Sequence, residues 1–161
     1  MSDHVLERAA GVAQAGGELG AALATRARLM DLTEGSHDAA LLPKTPGGLA
    51  HGLRAHLAAR MSRICSDDAL ARHYDRLGEV SPDLADLARP GHQPEAPRLA
   101  ALVAYVDKMT LHPKEATAQD IDILRDAGVA EDDIVRLAGL VAFVNYQIRV
   151  AKVLRVMEGQ S

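Results

Sequence analysis

The amino-acid sequence predicts an all-α domain, and three observations carry that prediction. Apolar residues recur at helical spacing along most of the chain, as in Leu49, Leu53, Leu57 and Met61. No segment alternates in the manner of a half-buried strand. Aromatic residues are only 2% of the chain, with three Tyr, one Phe and no Trp, so alanine and aliphatic side chains must fill the interior. That composition suits closely approaching helices better than sheets. With 161 residues, 48% apolar and 25% charged, the chain has the size and balance of one globular domain.

The elements follow in order. Val5, Leu6, Ala9 and Val12 predict a first helix over residues 3–14, interrupted by Gly16-Gly17. Leu19, Leu23, Leu29 and Met30 predict a second over residues 18–32. Thr33-Glu34-Gly35-Ser36 reads as a break before a short helical segment, His37 to Leu42. Pro43-Lys44-Thr45-Pro46-Gly47-Gly48 is the clearest loop and divides an N-terminal helical arm (1–45) from the main domain (46–161). There the run from Leu49 to Ile64 forms one buried helix face, flanked by His56 and Arg60. Ser66 reads as the N-cap of the next helix, with Asp67 and Asp68 at the positive end of its dipole. The inward face of that helix would carry Leu70, His73, Tyr74 and Leu77. Ser81-Pro82-Asp83 starts a short element that Arg89-Pro90-Gly91 ends. Leu99, Leu102, Val103, Val106 and Met109 make another amphipathic helix, closed near His112-Pro113. Thr117 to Asp120 resembles a capping box, and Gly128 fits the position just past that helix. Glu131-Asp132-Asp133 opens a last helix, 132–157, apolar on most sides, as expected of a central helix or one in a subunit interface.

Several function classes fall away on composition. Eighteen basic residues against 22 acidic give a net charge of -4, unlike a duplex-coating protein, and aromatic platforms for single strands are lacking. The sequence therefore predicts no nucleic-acid partner. The first residues, Met1 to Arg8, lack the basic region and apolar core of a secretory signal, and the longest apolar run, Leu137 to Val144, has eight residues. No membrane partner is expected. One cysteine, Cys65, excludes an internal disulfide or a cysteine-rich metal site, and the predicted compartment is the cytoplasm. His51 and His56 are five apart, off the spacing that puts two ligands on one helix face. No metal or cofactor is expected.

The stretch Leu102-Val103-Ala104-Tyr105-Val106-Asp107-Lys108-Met109-Thr110, then Pro113, then Ala116 to Asp120, carries a resemblance. It continues through Leu124 to Gly128 and ends on Phe143-Val144-Asn145-Tyr146-Gln147-Ile148-Arg149. This order of elements resembles the alkylhydroperoxidase AhpD / carboxymuconolactone decarboxylase superfamily, in its peroxidase-related branch. The segment Ala69-Leu70-Ala71-Arg72-His73-Tyr74 looks like the active-site helix of that family. The likeness covers about two-thirds of the chain and leaves the N-terminal arm outside.

The resemblance implies a Cys-x-x-Cys-x-x-x-His motif at the start of that helix and a relay glutamate on the preceding one. In such a motif a helix N-terminus stabilises a thiolate, which attacks peroxide and is then resolved by the second thiol. Anchored on His73, the motif places Ser66 and Ala69 where the cysteines belong, and Arg54 at the relay position. Two-cysteine turnover within one chain is excluded by those residue types. Three functions stay open: a binding or accessory subunit that has lost the redox centre; a one-cysteine hydroperoxidase using Cys65 with an external thiol; and a non-redox acid/base enzyme using His73, with Tyr74 or His56 as partner. The candidate site residues are thus His73 and Cys65. Arg149, in the apolar last helix, is expected to pair with an acidic partner. A homo-oligomer is expected, and a small-molecule ligand or a redox partner protein fits the first two functions.

Overall fold

A computed structural model describes residues 4–159. Eight α-helices and two 3-10 segments are formed among them, and no strand. In chain order they are α1 (Val5–Ala10), α2 (Gly17–Thr25), α3 (Ala27–Leu41), α4 (His51–Ile64), α5 (Asp68–Gly78), a 3-10 segment (Pro82–Ala88), α6 (Pro97–Leu111), a 3-10 turn (Pro113–Glu115), α7 (Ala118–Asp126) and α8 (Glu131–Met157).

Helix α4 lies at the centre. Every residue from Gly52 to Ser62 is buried, because α5, α6, α8 and the first 3-10 segment all pack on it. Its small residues, Gly52, Ala55, Ala58 and Ala59, let those backbones come close, while Leu57 and Met61 fill the interior with Leu70, Leu102 and Leu137. Two arginines of α4 are buried with it. Arg54 donates to the carbonyls of Leu49, Ala40 and Pro46 at 2.6–2.9 Å and so fastens the 43–50 loop. Arg60 holds both carboxylate oxygens of Asp107 at 2.6 and 2.7 Å and also binds the Arg89 carbonyl at 2.6 Å. Each guanidinium is satisfied, as a buried charge must be.

The last helix is long and apolar enough to cross a membrane by length and composition, yet half of its most apolar stretch is buried inside the fold. It serves as a core helix: Leu137, Leu140, Val144, Ile148 and Ala151 face α1, α3, α4 and α6. The predicted capping box of α7 is formed, with Asp120 accepting the Thr117 N–H at 2.7 Å. Gly128 takes a left-handed φ of 80°, as a residue just past a helix end requires.

Three local expectations are corrected. The first helix stops at Ala10, where Gly11 turns left-handed at φ 74°, rather than reaching residue 14. Thr33 to Ser36 do not break the second helix. Thr33 and Ser36 donate their hydroxyls to the carbonyls of Leu29 and Leu32, both at 2.9 Å, so α3 runs unbroken and the interruption falls at Arg26 instead. The cap of α5 is Asp67 rather than Ser66: its carboxylate accepts the Leu70 N–H at 3.0 Å, while Ser66 sits left-handed at φ 58° in the preceding turn.

Segments before Pro43 join the same core. Leu6, Val12, Met30 and Leu41 are buried, α1 packs on α5 and α8, and α3 packs on α4 and α8. This brings residues of α3 against the face of α5 that carries His73.

Candidate functional site

The start of α5 is fastened by Asp67. Besides capping the helix, its buried carboxylate accepts Arg155 Nη2 from α8 at 2.7 and 2.8 Å, and the same nitrogen donates to the Ala9 carbonyl of α1 at 3.1 Å. One carboxylate therefore ties α5 to α8 and, through Arg155, to α1. Ala69 and His73 follow one turn apart on α5, while Ser66 is exposed in the turn before it.

His73 is paired with a residue from α3. Its Nε2 lies 2.9 Å from Nε2 of His37, and His37 Nδ1 lies 3.0 Å from an Asp38 carboxylate oxygen. The carboxylate only accepts, so His37 carries its proton on Nδ1 and offers a lone pair at Nε2. His73 then donates its Nε2–H to His37 and keeps a lone pair on Nδ1. Burial, then the neighbouring His37, Arg76 and Arg8, hold His73 down to about 4, so its ring is neutral at physiological pH. Tyr74, fully buried beside it, donates its hydroxyl to Gln147 Oε1, and burial with Asp67 and Glu34 nearby pushes the phenol far above its ordinary value.

A cavity of about 180 Å³ opens at this pair, between α1 and α5, lined by Val5, Arg8, Ala69, Arg72, His73 and Arg76 among others. Among the described residues, no carboxylate lines it. Larger cavities of about 580 and 370 Å³ lie along α1–α3 and between α3 and α8, and neither includes His73 or Cys65. Ligand-type atoms of Glu34, His37 and Asp38 lie within 4.8 Å of one another. Glu34 already accepts the Val5 N–H at 2.8 Å, and both nitrogens of His37 are engaged, so these are hydrogen-bond partners.

Cys65 sits elsewhere. It is half-buried at the end of α4, where burial pushes its thiol up, Arg149 and Lys152 of α8 oppose that, and Asp67 adds to it. Cys65 is not among the residues that line the His73 cavity. The two histidines of α4 have other partners: His51 donates to the Pro43 carbonyl and His56 to the Ser81 carbonyl, each at 2.9 Å. The ring partner of His73 is therefore His37, in place of His56; Tyr74 packs edge-on against it. Arg149 bonds the Asn145 carbonyl at 3.3 Å, and no acidic partner is recorded for it among the described residues. Arg54, where the resemblance would put the relay glutamate, is spent on three carbonyls. The sequence offers no local signal for His37, which stands 36 residues from His73 on another helix. Arg72 and Arg76, by contrast, are visible at i−1 and i+3 from His73 once that residue is singled out.

A helical bundle with this order of elements has an AhpD-like fold. Solved structures agree. The chain is similar to an uncharacterized peroxidase-related protein from Silicibacter sp. TM1040, with a TM-score of 0.69 and 21% identity, covering 82% of this chain and 71% of that one. It is also similar to an alkylhydroperoxidase AhpD core protein, an uncharacterized peroxidase-related protein from Ralstonia eutropha JMP134, with a TM-score of 0.59, 25% identity and the same coverage. No protein-family model matches the chain, and no curated protein matches it. The protein has the AhpD-like fold and lacks the Cys-x-x-Cys pair.

Proposed function

We propose that this chain is a non-redox member of the AhpD-like fold, a binding or accessory subunit with no peroxide turnover of its own. The observation that carries this reading is that its one thiol does not line the His73 cavity. The family motif anchored on His73 falls on Ser66 and Ala69, and Cys65, outside the cavity lining, has its thiol held protonated by burial. A peroxidatic cysteine needs the opposite: exposure and a lowered pKa. What the site retains is a neutral histidine held by a neighbour and facing a cation-lined cavity.

The test is single-turnover consumption of an organic hydroperoxide by the reduced protein, beside Cys65→Ser. We expect no burst from either. A stoichiometric burst from the parent that disappears in the variant would establish a one-cysteine hydroperoxidase and overturn the reading.

The Asp38–His37–His73 chain favours a second reading, in which His73 Nδ1 acts as a general base on a small carbonyl or lactone compound. Such activity would be lost in His73→Ala and indifferent to Cys65→Ser. Self-association belongs to either reading, because Val135, Tyr146, Val153 and Val156 leave apolar side chains exposed along α8. A monomeric mass in dilute solution counts against it. A reducing cytoplasmic compartment suits the single free thiol.

A further inference from the structure

Among the described residues, the charged side chains that line the His73 cavity are all arginines. Arg72 and Arg76 project from α5 at i, i+4, an arrangement in which like charges repel along a helix. Across from them α1 contributes Arg8, and the remaining lining, Val5, Ala9 and Ala69, is apolar. Among the described residues, neither Arg72 nor Arg76 has a recorded ion pair, although most other arginines of the chain are held by a carboxylate or a carbonyl. At about 180 Å³ the cavity is smaller than the roughly 300 Å³ where sites for whole drug-sized ligands begin, so it fits a head group.

We propose that the cavity between α1 and α5 binds a small oxyanion, such as a carboxylate, phosphate or sulfate group, held by Arg72, Arg76 and His73. This deepens the reading of the protein as a binding subunit and rests on it, but it fails separately: the absence of an anion site leaves the peroxide-burst test unaffected.

The hydrogen-bond chain makes binding take up a proton. With Nε2–H committed to His37, His73 can donate to an anion only from Nδ1, and Nδ1 carries a hydrogen only in the imidazolium. The charged and titratable groups around His73 are Arg8 on α1, His37 on α3, and Arg72, Tyr74 and Arg76 on α5, with Asp38 and Glu34 of α3 beside its neighbours His37 and Tyr74. The cations among them oppose that protonation in the empty site. An anion between the guanidinium groups cancels their field and favours it. Anion affinity should therefore fall as pH rises above about 4, by up to about tenfold per pH unit until the bound-state value is reached.

Sulfate is the appropriate probe, since its own charge is constant over this range. We would follow the His73 ring signals of the full chain by NMR between pH 4 and 7, in sodium sulfate and in sodium chloride of equal ionic strength. Arg72→Gln and the double variant Arg72→Gln/Arg76→Gln would be measured alongside, all at exposed positions away from the core. The proposal expects the apparent pKa of His73 to rise by about a unit or more in sulfate, equivalent to about tenfold tighter binding to the protonated ring. It expects little change in chloride, a reduced response in the single variant and none in the double. An equal response to both salts would mean general screening and would overturn it, as would a double variant that responds like the parent.

Discussion

Replacing Asp67 tests how the site is framed, because one carboxylate caps α5 and also holds α8 and α1 through Arg155. In Asp67→Asn the side chain keeps an oxygen for the Leu70 N–H, and asparagine caps helices about as well as aspartate, so the change isolates the ion pair. Removing one partner of a fully buried pair costs about 3–5 kcal/mol. Arg155 keeps 23% of its side-chain exposure and its bonds to the Ala9 carbonyl, which places the loss near 2 kcal/mol. Asp67→Ala also removes the cap, adding about 1 kcal/mol for a total near 3. With a urea slope of about 2 kcal/mol/M, the midpoints should fall by about 1 and 1.5 M respectively. The same charge helps to hold the Cys65 thiol up, so Asp67→Asn should also speed alkylation of Cys65 by iodoacetamide at neutral pH. An Asp67→Asn midpoint within about 0.3 M of the parent would refute the claim that this pair fastens the three helices. An unchanged alkylation rate would refute its action on the thiol.

Two further outcomes follow from the geometry. The folded His73 titrates at about 4 against an ordinary 6.5, so between those values the unfolded chain binds the extra proton and stability falls as pH drops through the window. Urea midpoints from pH 6.5 to 4 should decline more steeply in the parent than in His73→Gln, and parallel curves would count against a buried neutral ring. At Gly78 an added Cβ would stand 2.5 Å from Cε1 and 2.8 Å from Nδ1 of the buried His56 ring. Gly78→Ala should displace that ring from the Ser81 carbonyl and cost about 2 kcal/mol by calorimetry, and an unchanged melting temperature would show that the contact relaxes freely.

Much of the fold was legible because helices leave local marks. The spacing of Leu49, Leu53, Leu57 and Met61 predicts α4, and Thr117 with Asp120 predicts the start of α7, since the chemistry of a cap lies within four residues. The marks mislead where two local solutions compete. Ser66 and Asp67 are both good caps, and the one that caps the helix is Asp67, whose carboxylate Arg155 holds from 88 residues away. Thr33 and Ser36 suit a turn as readily as a helix, and the packing of α3 on α4 and α8 selected the helix.

The site divides the same way. His73 is recognisable from the order of residues on its helix, and the absence of paired cysteines is a fact of composition that no folding can change. The sequence by itself therefore determined an all-helical AhpD-like chain with one thiol and no two-cysteine centre. It could not show that His73 meets His37, that Arg8 shares a cavity with Arg72 and Arg76, or that Cys65 lies outside the lining of that cavity. Those relations join helices far apart in the chain, and proton position, charge and access depend on distances that only the packed bundle sets.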